Sequence, residues 1–344
     1  MTEDMVIVPK TSSSSERTGT DNSSMLDGYP AFKKPKSSLY SFLRNRIRGR
    51  SSSKYIFPHN DREISRLDSM HYAIRYLLHG NFNAPIDAEL EKGIRVIDVG
   101  CGTGRWTIDM ALDYPNSTFI GIDYVDIFPK KDIPPNCTFI RCNVLNGLPF
   151  EDDSFDFVFQ RLMMLVYTPD DWRRVIRELA RITKPGGVVE LEESDMAIQR
   201  PPSNYLRFYD SCKSLGPKFR QDSIPHLTPT ILLFNTSLVP AARGLNLSIL
   251  QHLPDLLIEA GLENVKSDFV LIPLGWQGRE GDLCLNSVVL AFSSFRPIIA
   301  PTMGVSDKEY DAFMRQVTEE FKQKKSWING PHAFGWKPKR PRLL

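Results

Sequence analysis

The sequence predicts an α/β protein with a mostly parallel sheet and helices on both faces. Two observations predict it. Five short β-rich runs alternate with helical stretches between Ile94 and Leu191, and a glycine-rich turn directly follows the first of those runs. Of 344 residues, 41% are hydrophobic and 24% charged, enough apolar material for one large or two modest domains. With 43 Lys plus Arg against 41 Asp plus Glu, the formal charge is +2, which excludes a polycation that coats nucleic acid by bulk charge. No apolar run approaches the roughly 18 to 20 residues of a membrane span.

Residues 1–54 read as a disordered tail. Serines at 12–15, 23, 24, 37, 38 and 51–53 make it polar, and such a stretch buries too little apolar surface to offset its ordering entropy. From Pro30 to Asn60 the charge is wholly basic: Lys33, Lys34, Lys36, Arg44, Arg46, Arg48, Arg50 and Lys54 face no acid. That run suits nuclear import, an acidic membrane surface, a nucleic-acid contact or simply a solvated tail. The N-terminus lacks the basic and then apolar pattern of a secretory signal, so the nucleus or cytoplasm is the expected location.

Globular patterning begins near Asn60. Asn60 with Glu63 resembles a capping box, and Ile64, Leu67, His71, Ile74, Leu77 and Leu78 recur at helical spacing. The β-rich runs are 94–99, 118–122, 137–141, 155–159 and 188–191. Before the last of them Thr168 caps a helix, Pro169 opens it, and Asp170 and Asp171 meet its positive end. Trp172, Val175, Ile176, Leu179 and Ile182 form its apolar stripe, and Pro185-Gly186-Gly187 is expected to end it.

After Asp195 six prolines fall between 196 and 250, with helical pieces near 205–214 and 230–238. This is too long for a plain loop, so a helical insertion over the ligand edge of the sheet is predicted. A helix carrying Leu253, Leu256, Leu257 and Ala260 then leads to a strand at 265–273. Residues 281–299 and 306–324 read as helices, the second with a Ser306/Glu309 capping box, and a last strand near 327–335 is expected to close the sheet.

The chemistry is concentrated in Asp98-Val99-Gly100-Cys101-Gly102-Thr103-Gly104. Glycines let a backbone turn tightly and approach a ligand, and the carboxyl edge of the first strand is where an open α/β sheet binds one. A dinucleotide fingerprint would need glycine at 105, where Arg105 stands, and no Walker lysine is present. The pattern acid-x-G-x-G-x-G instead resembles motif I of class I S-adenosylmethionine (SAM)-dependent methyltransferases. Three further segments resemble that family: Gly121-Ile122-Asp123, the run Gly147-Leu148-Pro149-Phe150 through Ser154-Phe155-Asp156, and Lys184-Pro185-Gly186-Gly187. Tyr55-Ile56-Phe57-Pro58, Asp61, Glu63, Arg66-Leu67 and His71, with the run from Asp123 to Pro129, Asn143-Val144-Leu145 and Gly335-Trp336-Lys337-Pro338, is similar to fungal LaeA-like methyltransferases of the Umta-type subgroup.

The resemblance implies a Rossmann-like class I methyltransferase fold over residues 55–340: a SAM-binding core at 90–195, an insertion or lid at 196–250, and closing helices and strands at 251–340. It implies SAM as cofactor, with S-adenosylhomocysteine (SAH) as product. The site residues it implies are Asp98, Gly100, Gly102, Gly104, Asp123, Tyr124, Val125, Asn143, Val144, Leu145 and Gln160. Asp123 would accept from the ribose hydroxyls, Tyr124 and Val125 would flank adenine, and Asn143 would accept from its amino group. His71 and Arg105 are candidates for the methionine end, while Trp106 reads as packing. Gln160, Arg161, Glu190, Glu192, Glu193 and Asp195 cluster at the ends of the fourth and fifth strands as candidates near the pocket, where the carboxylates would bind a cationic nucleophile or offset the sulfonium. Alternation alone would leave Glu190 and Glu192 facing solvent or paired with bases. His226 is a candidate base, but a lone loop histidine is weak grounds.

Five scattered cysteines without a CxxC, and histidines without ligand spacing, predict neither a disulfide framework nor a metal site. The expected activity is methyl transfer to a small-molecule or protein acceptor, bearing on fungal secondary metabolism or development. The alternative is a SAM-binding regulator that acts through protein partners with little turnover. A nucleic-acid acceptor is not expected, since no NPPY or DPPY tetrapeptide and no Pro-Cys nucleophile is present.

Overall fold

A computed structural model describes residues 61–206 and 245–339 of the chain. The basic tail, Asn60, most of the predicted insertion and His226 lie outside the described residues. Among those described, eight strands form one sheet in the order β3-β2-β1-β4-β5-β8-β6, with β7 paired to β8. The strands are β1 (Arg95–Val99), β2 (Thr118–Asp123), β3 (Cys137–Arg141), β4 (Phe155–Arg161), β5 (Thr183–Glu192), β6 (Ile198–Gln199), β7 (Glu263–Pro273) and β8 (Trp327–Trp336). The first five pair in parallel, and β8 runs antiparallel to β5, β6 and β7. The helices are α1 (Asp61–Leu77), α2 (Asp87–Lys92), α3 (Arg105–Asp113), α4 (Pro169–Ile182), α5 (Leu253–Glu259), α6 (Arg279–Met303) and α7 (Asp307–Lys324).

The two faces of the sheet follow from strand alternation. Val96, Phe157 and Phe159 pack with Trp106 and Met110 of α3, while Ile97, Val99 and Val158 pack with Trp172, Val175, Ile176 and Leu179 of α4. Both faces are therefore covered, which is why apolar residues occupy both faces of the central strands.

The β4–α4 connection follows the expected chemistry. The Thr168 hydroxyl accepts from the Asp171 N–H while the Asp171 carboxylate accepts from the Thr168 N–H, closing a capping box. The segment before β4 is tied to α4: Glu178 accepts from the Leu148 N–H, and Arg181 donates to the carbonyls of Leu148 and Phe150 and to Asp152.

Three expectations are corrected. The turn Pro185-Gly186-Gly187 does not end α4. The helix stops at Ile182 and β5 begins at Thr183, with a register shift between Thr183 and Val188 where the turn bulges. The last strand does not close the sheet. β8 is inserted between β5 and β7, pairing Val188 to Trp336 on one side and Lys266 to Phe334 on the other, so β7 is the edge. Glu190 and Glu192 do not face solvent. Both are buried, because β8 and the loop before α2 cover the strand that alternation alone would leave half exposed.

Candidate cofactor site

The glycine turn leaves β1 at the carboxyl edge of the sheet. Gly100, Gly102 and Gly104 have φ values of 82°, 53° and 71°, in the left-handed region that favours glycine. Their surroundings differ. A Cβ on Gly102 would meet only Leu67, at 3.8 Å, so this Cα faces open space. A Cβ on Gly100 would strike the Met163 sulfur at 2.5 Å. Gly104 is the N-cap of α3, and a Cβ there would lie 2.5 Å from the Phe139 ring.

A cavity opens over this turn. From the expected set it is lined by Asp98, Gly100, Gly102, Asp123, Tyr124, Val125, Asn143, Val144 and Leu145. Asp123, the last residue of β2, accepts from the Gly102 N–H at 2.9 Å and from the Val125 N–H at 2.7 Å. Asn143 Oδ1 accepts from the Leu145 N–H, which orders the turn that carries Val144 and Leu145. Asp98 lies beneath the glycines, accepts from the Thr107 hydroxyl at 2.6 Å, and is pushed up to about 7 by burial.

Two expected residues do not line the cavity. Gly104 is used for close packing of α3 on Phe139. Gln160 is turned away by strand alternation: it is fully buried and accepts from the Tyr167 hydroxyl at 3.0 Å, while its neighbour Arg161 faces the cavity.

The floor and far wall were less legible. From α1, Leu67 and His71 line the cavity, and Asp68 anchors the turn by accepting from the Thr103 hydroxyl at 2.7 Å. Asp68 also stands 3.7 Å from Arg105, which lines the cavity too. Trp106 stacks on Phe159 at 4.0 Å and donates to the Asn81 carbonyl, and both rings also line the cavity. The β4–α4 connection adds Leu162, Met163, Val166 and Tyr167. No periodicity marks these four. They are placed by Glu193, whose two carboxylate oxygens accept from the N–H groups of Met163 and Met164.

His71 is held in one tautomer. Arg161 donates to Nδ1 at 2.8 Å, so Nε2 carries the proton and gives it to Asp109 at 3.0 Å. Burial, helped by the Arg161 charge, lowers the imidazole to about 4 and keeps it neutral. Burial raises Glu190 and Glu192 well above the usual carboxylate range and Glu193 to about 8. None of these three carboxylates lines the cavity, nor does Asp195, which accepts from the Ala197 N–H and from Asn329. Among the described residues there is no cluster of His, Cys, Asp or Glu that could hold a metal ion, and no helix long and apolar enough to cross a membrane.

These residues fit an adenosyl sulfonium cofactor. Gly102 leaves open the space its side chain would fill, directly beside a strand-end carboxylate, and Tyr124, Val125, Ile127, Val144 and Leu145 supply a mainly apolar slot next to it.

Residues 96–187 match the family described as “Methyltransferase domain”. The chain is 34% identical over 143 residues to “Methyltransferase str2” of Strobilurus tenacellus, covering 42% of this chain and 50% of that protein. It is 34% identical over 161 residues to “Secondary metabolism regulator LAE1” of Cochliobolus heterostrophus, covering 44% and 52%. It is 24% identical over 285 residues to “N-methyltransferase gliN” of Aspergillus fumigatus, covering 79% and 92%. The chain thus spans about half the length of the first two relatives. The matched segment, the strand order and the glycine turn agree: residues 96–187 form a Rossmann-like methyltransferase domain, and the chain is similar to LaeA-like and other fungal methyltransferases.

Proposed function

We propose that the protein uses this domain to transfer a methyl group from SAM to a small-molecule or protein acceptor. The observation that carries the proposal is the bond from the Gly102 N–H to the Asp123 carboxylate on the wall of an open cavity. When bound, SAM supplies an electrophilic methyl on a sulfonium, whose leaving group needs little assistance. The chain's work is then to orient and to exclude water. Asp123 accepts from the ribose hydroxyls; a carboxylate has about four acceptor sites, enough for these and for the two backbone N–H groups. Tyr124, Val125, Val144 and Leu145 enclose the adenine, and Asn143 orders the turn beneath it. At the other end, Arg161 and Arg105 receive the amino-acid carboxylate, and His71, neutral and fixed in tautomer, holds Arg161 in place. Asp98, deep under the turn, faces the amino group.

The relatives' printed names, a secondary-metabolism regulator and an N-methyltransferase, support a role in fungal secondary metabolism. The test is calorimetric titration of the full chain with SAM and SAH, followed by release of SAH from SAM in the presence of candidate acceptors. Binding of both ligands, with SAH formed on adding an acceptor, is the expected result. No heat with either ligand would overturn the proposal, and binding without turnover across acceptor classes would leave a cofactor-bound regulator.

A further inference from the structure

Asp109 sits one turn into α3, the helix that leaves the glycine turn at Arg105, and it is buried without lining the cofactor cavity. One of its oxygens, Oδ2, serves two residues of α1. It accepts from His71 Nε2 at 3.0 Å and from Arg75 Nη1 at 2.6 Å. Arg75 is fixed in turn by Asp113, which accepts from its Nη2 at 2.9 Å. Burial raises the Asp109 carboxyl, but the contacts with His71 and Arg75 outweigh it and hold the group below the usual carboxylate range, so it is ionised.

This chain of contacts ends on Arg161 in the cavity. Arg161 Nη2 donates to His71 Nδ1 at 2.8 Å, while its Nη1 stands 3.6 Å from Glu192 Oε2 on the other side. His71 lines the cofactor cavity and Glu192 does not. Two acceptors therefore compete for one guanidinium, and the imidazole decides between them. A neutral ring has one N–H and one lone pair, and a guanidinium only donates, so His71 holds Arg161 only while its hydrogen is on Nε2. An ionised acceptor at Nε2 keeps the hydrogen there. Without Asp109 the hydrogen is free to move to Nδ1. Two donors would then face each other, and Arg161 would turn to Glu192, away from the cofactor.

We propose that Asp109 is a positioning residue that makes the site select cofactors carrying an amino-acid group. It acts through His71 on Arg161, which receives the amino-acid carboxylate in the methyl-transfer reading above, and the inference rests on that reading. Asp109 itself touches neither the ligand nor a reacting atom. The helix that begins at the glycine turn thereby also governs the guanidinium at the end of β4.

The test is calorimetric titration of the full chain with SAH and with methylthioadenosine, which has the same adenosine and thioether but no amino-acid group. The wild type is expected to prefer SAH by at least about tenfold, the contribution of a charged hydrogen bond. Asp109→Leu should lose most of that preference through weaker SAH binding, with methylthioadenosine affinity unchanged. Asp109→Asn keeps an oxygen for the Nε2–H and should restore the preference. A merely structural role would weaken both ligands together.

The tautomer is read separately by proton–nitrogen correlation NMR of the histidine rings, with the His71 signal identified by its loss in His71→Gln. An Nε2–H ring is expected in the wild type and in Asp109→Asn, a result that does not depend on Asp109→Leu folding. An Nδ1–H ring in the wild type, equal weakening of both ligands in Asp109→Leu, a preference that survives that substitution, or an Asp109→Asn variant that behaves like Asp109→Leu would overturn the inference. Wild-type binding of SAH with no preference over methylthioadenosine would overturn this inference alone. Failure of the wild type to bind SAH would overturn the methyl-transfer reading itself.

Discussion

The carboxylate of Asp123 accepts the backbone N–H of Gly102 at 2.9 Å, tying the end of β2 to the middle of the glycine turn that follows β1. The two residues are neighbours because β1 and β2 pair in parallel with Val99 opposite Ile122. One side chain therefore shapes the loop and presents an acceptor to the cavity.

Asp123→Ala removes that acceptor and leaves the Gly102 and Val125 N–H groups without it. A charged hydrogen-bond acceptor contributes about 1.5 to 3 kcal/mol, so SAH affinity should fall roughly ten- to a hundredfold in calorimetry. Unchanged affinity would move the ribose site elsewhere.

The two glycines on either side of Thr103 should behave differently. Gly102→Asp fills the open space over the turn and is expected to abolish SAH binding. Gly104→Ala drives a methyl into the Phe139 ring, so its main effect should be a stability loss of about 1 to 3 kcal/mol, read from denaturant melts. Equal loss of binding from both, with no loss of stability from Gly104→Ala, would contradict the assignment.

His71 makes stability depend on pH. Its folded value of about 4 lies below the unfolded value of 6.5, so between these the unfolded chain binds the extra proton. Stability from this group is complete above about 6.5 and declines as pH falls toward 4, by at most about 3 kcal/mol. The buried carboxylates Glu190, Glu192 and Glu193 contribute in the opposite sense, since a raised carboxylate loses stability as pH rises. The informative quantity is thus the difference between wild type and His71→Gln. The wild-type melt should lose more stability on going from pH 6.5 to 4.5 than the variant, and parallel pH profiles would show that His71 is not held neutral.

Lys337 should matter to stability although it is far in sequence from everything it touches. Its ammonium donates to Asp153 and to the carbonyls of Ala180 and Arg181 at the end of α4. Lys337→Met removes these charge-assisted bonds at a helix C-terminus, and a loss of about 1 to 3 kcal/mol is expected. A melting temperature equal to wild type would show that the contact adds nothing.

The sequence by itself determined the α/β alternation, the place of the glycine turn and Asp123 as the second-strand acid, because each is a local signal. Periodicity reports which face of an element is buried, glycine spacing reports where a backbone turns, and Thr168-Pro169 announces a helix start. Most of the expected site lines one cavity for the same reason: a parallel sheet delivers the ends of consecutive strands to one edge. Where reading failed, the deciding contact was distant in the chain. Gly104 fits the glycine pattern, yet its lack of a side chain serves Phe139 on β3. Gln160 stands beside Arg161, and only the strand's orientation in the sheet decides which of them faces the cavity. The burial of Glu190 and Glu192, the insertion of β8 inside β7 and the pairing of His71 with Arg161 and Asp109 depend on elements dozens to more than a hundred residues away. Tertiary structure alone decides these, since non-local pairing leaves no periodicity along the sequence.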